Sequence, residues 1–247
     1  MQRLKRLVYK LIGKQEFKTL PHNDFLLRLR SSVIGEGMLH PGNPYLMDLA
    51  IRKMPVGGCV LEIGSYAGLS SIVLHYLLDQ RQRKEPLYCC DAWIYEGYHD
   101  SEAPPSNYMD GRPDVLRTDF MAHIKASFIQ SNQLFCSRQL PCAFHMESDL
   151  FFEKWLQNTQ ENDVFGRSHH LGGPISFAYI DGNHAYDYAR RDVENTLKHL
   201  LPGGYMLLDD SAKHQQFGSA RLAQELTRHP AIETIQANPN FLFRKKC

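Results

Sequence analysis

The sequence predicts an α/β fold: a seven-stranded, mostly parallel sheet that ends in an antiparallel hairpin, with helices on both faces. Three observations carry this reading. Short apolar runs alternate with longer helical segments from residue 55 onward, the pattern of strand–helix–strand units. Two of these runs, 175–180 and 205–208, each end in an acidic turn and are separated by a single helix, which makes them parallel neighbours. The last two runs flank Asn238-Pro239-Asn240, turn residues suited to an antiparallel hairpin.

The first stretch, 1–14, carries Arg3, Lys5, Arg6, Lys10 and Lys14 with no acid, while Leu4, Leu7, Val8, Leu11 and Ile12 recur at helical spacing. This basic amphipathic helix could touch an anionic membrane surface, pack on a second copy of the chain in a homo-oligomer, or dock on its own domain. It opens a helical extension, 1–42, ahead of a main domain, 43–247. Within that domain, helices are expected near 43–54, 68–80, 116–131, 149–158, 186–200 and 216–228. Strands are expected near 58–63, 87–91, 142–147, 175–181, 204–209, 232–236 and 240–244. Two connections are long. The one at 157–174 holds His169 and His170. The one at 93–114 follows the second strand and holds Tyr95, Tyr98 and Tyr108, a content that suits a substrate lid as well as it suits a plain surface insertion.

Composition narrows the function. The chain has 247 residues, 43% of them hydrophobic, which is ordinary for one α/β domain. A net charge of +1 gives no field that would draw nucleic acid. No apolar run approaches the length of a membrane span. The six cysteines form no CxxC pair and read as small core residues of a cytoplasmic protein rather than zinc ligands or a disulfide frame.

The chemistry concentrates in three segments. Val60-Leu61-Glu62-Ile63-Gly64-Ser65-Tyr66-Ala67-Gly68-Leu69-Ser70-Ser71 reads as a buried strand, a glycine loop and a helix start. It lacks the Lys-Ser/Thr of a P-loop and the third glycine of a dinucleotide fingerprint. Glu62, a carboxylate at the end of a buried strand, needs a partner or a polar ligand. The other two segments are Ile180-Asp181-Gly182-Asn183-His184 and Leu208-Asp209-Asp210. Parallel neighbouring strands would bring Asp181, Asp209 and Asp210 together at the carboxyl edge, where open α/β sheets bind ligands. Three carboxylates at one point favour a hard divalent cation such as Mg²⁺, with Ca²⁺ or Mn²⁺ as alternatives. His184 could serve as a general base or a peripheral ligand.

Together the three segments resemble the Rossmann-like class I S-adenosylmethionine-dependent methyltransferases. They are most similar to the metal-dependent small-molecule O-methyltransferases of the macrocin type, which carry a D-G-x-H turn. The resemblance covers about residues 35–245. It implies S-adenosylmethionine as cofactor and Mg²⁺ or another divalent cation as metal. Gly64, Tyr66 and Ser70 would hold the cofactor's methionine part, with Glu62, Ser65 and Gly68 also among the cofactor-binding residues. Asp91, with Ala92 and Trp93 beside it, would accept from the ribose hydroxyls, and Glu147 and Ser148 would meet the adenine. Asp181 would border the cofactor and, with Asp209 and Asp210, hold the metal; Asp181 and His184 would be the catalytic pair. The catechol-type branch uses a lysine just after its first metal acid, and Gly182-Asn183-His184 supplies none. The expected reaction is therefore O-methylation of a vicinal diol or a sugar hydroxyl. A hydroxylase-like relative on the same fold and a non-enzymatic nucleoside-binding module are the competing readings; a nicotinamide-dependent dehydrogenase is disfavoured by the missing third glycine.

Overall fold

A computed structural model of the chain describes residues 17–20, 37–95, 108–109 and 112–246. The basic helix expected at 1–14 and the centre of the 93–114 connection lie outside the described residues.

The described elements run in the order α1 (Asn43–Lys53), β1 (Cys59–Ile63), α2 (Leu69–Gln80), β2 (Leu87–Asp91), β3 (Tyr108–Met109), β4 (Arg112–Leu116), α3 (Arg117–Phe135), β5 (Cys142–His145), α4 (Ser148–Gln157), β6 (Gln160–Asn162), β7 (Ser168–His170), β8 (Ile175–Ile180), α5 (Tyr186–His199), β9 (Leu200–Leu208), α6 (Gly218–Leu226), β10 (Ile232–Ala237) and β11 (Phe241–Lys245). α1 carries Pro44 in its first turn, where no N–H is needed, and ends on Arg52 and Lys53, which complement the helix dipole. β1 and β8 are buried at every position, as central parallel strands require.

Seven strands form one sheet in the order β10-β11-β9-β8-β1-β2-β5. The neighbours from β9 to β5 pair in parallel, and β11 runs antiparallel to both β9 and β10. Apolar side chains alternate between two layers. Val60, Phe177, Tyr179 and Leu207 meet α1 and α2 on one face; Leu61, Ile63, Ala178 and Met206 meet α5 and α6 on the other.

The register places the site. Ile63 pairs with Cys90 on one side and Ile180 on the other, and Ile180 pairs with Leu208. The residues that follow, Gly64, Asp91, Asp181 and Asp209, therefore leave the sheet at one level along its carboxyl edge.

Three details depart from the sequence reading. α3 continues past residue 131 to Phe135. β9 begins at Leu200, because Leu200 pairs with Ile175 before Pro202 and Gly203 interrupt. The 157–174 connection contains a two-stranded ribbon, β6 with β7. No alternation of apolar residues announces this ribbon. The buried carboxylate of Asp163 holds it, accepting from the backbone of Phe165 (3.0 Å) and Arg167 (2.8 Å) and from the Arg167 guanidinium. The five described cysteines are free of disulfides. Among the described residues no helix is long and apolar enough to cross a membrane.

Candidate active site

The glycine loop is tied to the strand edge by carboxylates. Asp91 Oδ2 accepts from the backbone N–H of Ser65 (2.7 Å) and Tyr66 (2.8 Å), and Oδ1 accepts from Trp93 N–H (2.6 Å). Burial raises the Asp91 carboxyl above the usual aspartate value, and these N–H groups oppose the rise. Glu62 lies fully buried beneath the loop, where Oε2 accepts from Ser65 Oγ (2.8 Å) and from Ser71 Oγ. Burial raises its carboxyl too, against hydrogen bonds from Ser70, Ser71 and Ser65.

Gly64 takes φ +81°, and a Cβ there would stand 2.0 Å from the Asp181 carbonyl oxygen. Its bare Cα lets β1 and β8 come together at the edge. Gly68, at φ +94°, starts α2 against Phe128 and Asn132 of α3. Three non-glycine residues with positive φ, Tyr66 (44°), Trp93 (44°) and Asp210 (47°), follow the ends of β1, β2 and β9. Such backbone is uncommon for these residue types and gathers at functional rims.

At the other end of the edge, Asp181 Oδ2 and Asp209 Oδ2 lie 2.8 and 2.7 Å from the Tyr179 hydroxyl. One hydroxyl has one hydrogen, which it can donate to only one of the two acids at a time. Burial first, then the neighbouring Asp209 charge, pushes the Asp181 carboxyl well above its ordinary range. Asp209, 4% exposed, also accepts from Asn43 Nδ2 (2.8 Å) and Asn240 Nδ2. Its carboxylate is thus spent on α1 and the β10–β11 hairpin. Among the described residues, the set able to share a cation is Asp181, His184 and Asp210, one atom from each lying within 4.8 Å of the others. This set differs from the expected trio of Asp181, Asp209 and Asp210, in that His184 stands where Asp209 was expected. His184 Nε2 sits 3.2 Å from Asp210 Oδ2, and its ring packs on Phe217 at 5.3 Å between centroids. Burial raises the Asp210 carboxyl, while His184 opposes the rise.

Both ends open into one cavity of about 700 Å³. It takes in the expected residues Gly64, Ser65, Tyr66, Ser70, Asp91 and Ala92, and on its far side Glu147, Ser148, Asp181, His184 and Asp210. Four expected residues stand apart from it. Glu62 and Gly68 are beneath the loop, and Asp209 faces the asparagines. Trp93, 5% exposed, donates from Nε1 to the Tyr66 carbonyl (2.9 Å) and packs on Phe128, so it braces the loop from below. Asp91, expected to offer both oxygens to a ribose, already spends three of its roughly four acceptor positions on backbone. The sequence reading missed Asp192 of α5, a buried acid at the cavity wall, and the apolar rim of Met38, Phe120 and Phe217. The position of Asp192 on the one buried stripe of an otherwise polar helix was the available signal.

Comparison with known proteins gives a consistent picture. A family model described as a methyltransferase domain matches residues 61–211, more than half of the chain. No curated protein matches the sequence. Among solved structures, the SAH-bound methyltransferase PaMTH1 of Podospora anserina superposes with a TM-score of 0.57 at 13% identity, over 100% of this chain and 95% of that one. A candidate O-methyltransferase of Klebsiella pneumoniae gives 0.53 at 12% identity, over 99% and 97%. CalS11, a calicheamicin methyltransferase, gives 0.52 at 14%, over 98% and 90%. At such identities these structures share the fold.

Proposed function

The chain belongs to the methyltransferase-domain family, and from that footing we propose that it is an S-adenosylmethionine-dependent O-methyltransferase acting on a small-molecule hydroxyl, assisted by a divalent cation. One juxtaposition carries the reading: the glycine loop, Asp91 and Glu147 border the same cavity as Asp181, His184 and Asp210. Its volume of about 700 Å³ falls within the range that encloses small organic ligands. Ser65, Tyr66 and Ser70 would border the methionine end of the cofactor, the remaining acceptor position of Asp91 would meet the ribose, and Glu147 and Ser148 would flank the base.

Asp181 and Asp210 would hold the cation. A divalent ion there supplies charge that makes a nearby hydroxyl more acidic. The protein's own part is alignment and proton removal. With Nε2–H directed to Asp210, His184 keeps Nδ1 as the basic atom. Bound S-adenosylmethionine would supply the methyl group and would keep its sulfur as a neutral thioether, while His184 would take the proton from the acceptor hydroxyl. The Asp181-Gly182-Asn183-His184 turn, with no lysine, supports placement in the D-G-x-H branch and an acceptor bearing adjacent oxygens. The apolar rim of Met38, Phe120 and Phe217 suits an acceptor with a nonpolar body beside those oxygens.

A second mechanism has its own observation. The 3.2 Å His184–Asp210 contact would serve as a base and its orienting acid without any cation. Transfer of a labelled methyl group from S-adenosylmethionine to a panel of diols, sugars and phenols, with Mn²⁺, with Mg²⁺ and with chelator, separates the two. The metal-assisted reading expects turnover to fall at least about tenfold with chelator; turnover unchanged by chelator supports the base-only mechanism. No transfer to any acceptor under any condition speaks against O-methylation.

A further inference from the structure

Asp192 borders the cavity, and the mechanism gives it no task. It lies on the buried stripe of α5 with Ala189, Val193 and Thr196, and is 3% exposed. The Ser148 side chain hydrogen-bonds to it. A Cβ at Gly182 would stand 3.2 Å from Asp192 Oδ2, so the carboxyl packs against the bare edge of the Asp181–His184 turn. Around it the cavity wall is apolar: Ile63, Cys90 and Met146. The Cys90 thiol there is turned to the Met146 carbonyl at 3.2 Å. Arg191 and the cavity-lining Asp149 pair at 3.0 Å and offset each other's charge. Asp192 is thus a buried acid on a stretch of cavity wall that Ile63, Cys90 and Met146 make partly apolar. Burial, relieved in part by Ser148, raises that acid to about 7, which fits a group awaiting a donor.

We propose that Asp192 selects the nucleobase of the cofactor by accepting a hydrogen bond from the exocyclic amino group of adenine, with Ser148 orienting its carboxyl. The proposal rests on the cofactor reading above. It makes Asp192 a specificity residue rather than a catalytic one. A buried acceptor recognises an amino group and rejects a base that carries an oxygen there, because two acceptors then face each other without a hydrogen.

The test is calorimetric titration at pH 8.5 with S-adenosylhomocysteine and with its 6-oxo (inosine) analogue. Wild type is expected to prefer the amino compound by about tenfold or more. Asp192→Ala should lose about tenfold in affinity for S-adenosylhomocysteine and bind the two ligands within about twofold of each other. Asp192→Asn, whose amide oxygen still accepts, should keep S-adenosylhomocysteine binding and tolerate the oxo analogue, since its amide can turn. General damage to the pocket would weaken both ligands alike and leave the preference in place. Wild type binding both ligands equally, or Asp192→Ala retaining the full preference, overturns the proposal and leaves the cofactor reading intact. Wild type binding neither overturns the cofactor reading and this inference with it.

Discussion

Asp209 and Asp192 show how burial reassigns acids that look alike in sequence. Asp209 sits beside Asp210 in the chain, yet its oxygens serve Asn43, Asn240 and Tyr179. Asp209→Ala removes the acceptor these three buried groups share, although each keeps one further contact, and should lower stability by about 1–3 kcal/mol, read from the urea midpoint. It is therefore a poor probe of metal use, and Asp210→Ala, at the more open acid, is the better one. A wild-type midpoint in Asp209→Ala would show that the network contributes nothing. Asp192 makes a different prediction. The folded state holds its proton to about pH 7, whereas the ordinary carboxyl releases it near 3.8. Its contribution to stability is complete below the lower value and fades as the pH rises through the upper one. Asp192→Asn removes that loss. Relative to wild type it should gain stability between pH 5 and pH 8, on the order of a few kcal/mol at the top of the range. Equal pH profiles for the two proteins would show that the acid is not held neutral.

At the level of elements, the strand edge is the device. β1, β2, β8 and β9 end level, and their terminal residues are stitched together: Gly64 N–H to the Cys90 carbonyl (2.9 Å), Asp181 N–H to Ile63 (2.7 Å) and Asp209 N–H to Ile180 (2.9 Å). Gly64 is part of the stitching. Gly64→Val would push a side chain into the Asp181 carbonyl and strain a positive φ, so it should disturb folding rather than block cofactor binding alone. The expected result is a markedly lower thermal midpoint or loss of soluble protein. A native midpoint with cofactor binding abolished would restore the simpler view that this glycine only makes room for a ligand. The strands were legible in sequence because apolar runs end abruptly in Gly64, Asp91, Asp181 and Asp209. The β6–β7 ribbon was not, because one buried aspartate holds it in place of a pattern.

Across the whole molecule, the parallel topology gathers groups that are far apart in the chain. The sequence revealed which residues end strands, and hence that Asp91, Asp181 and the Asp209-Asp210 pair share an edge. It could not show where each carboxylate turns. Asn43 from α1 and Asn240 from the hairpin decide that for Asp209, and both are ordinary polar residues until the fold places them at the same buried point. Likewise Trp93 follows a strand end as a ligand contact would, but its ring has gone inward to Phe128 and His145. The central claim is that a sulfonium nucleoside occupies the glycine-loop side of the cavity, beside the acids that would activate an acceptor. Calorimetric titration of S-adenosylmethionine into wild type and Asp91→Ala tests it most directly. One site per chain in wild type, weakened by about tenfold or more in a folded Asp91→Ala, is the predicted result; absence of binding in wild type, or equal binding by both, would contradict it.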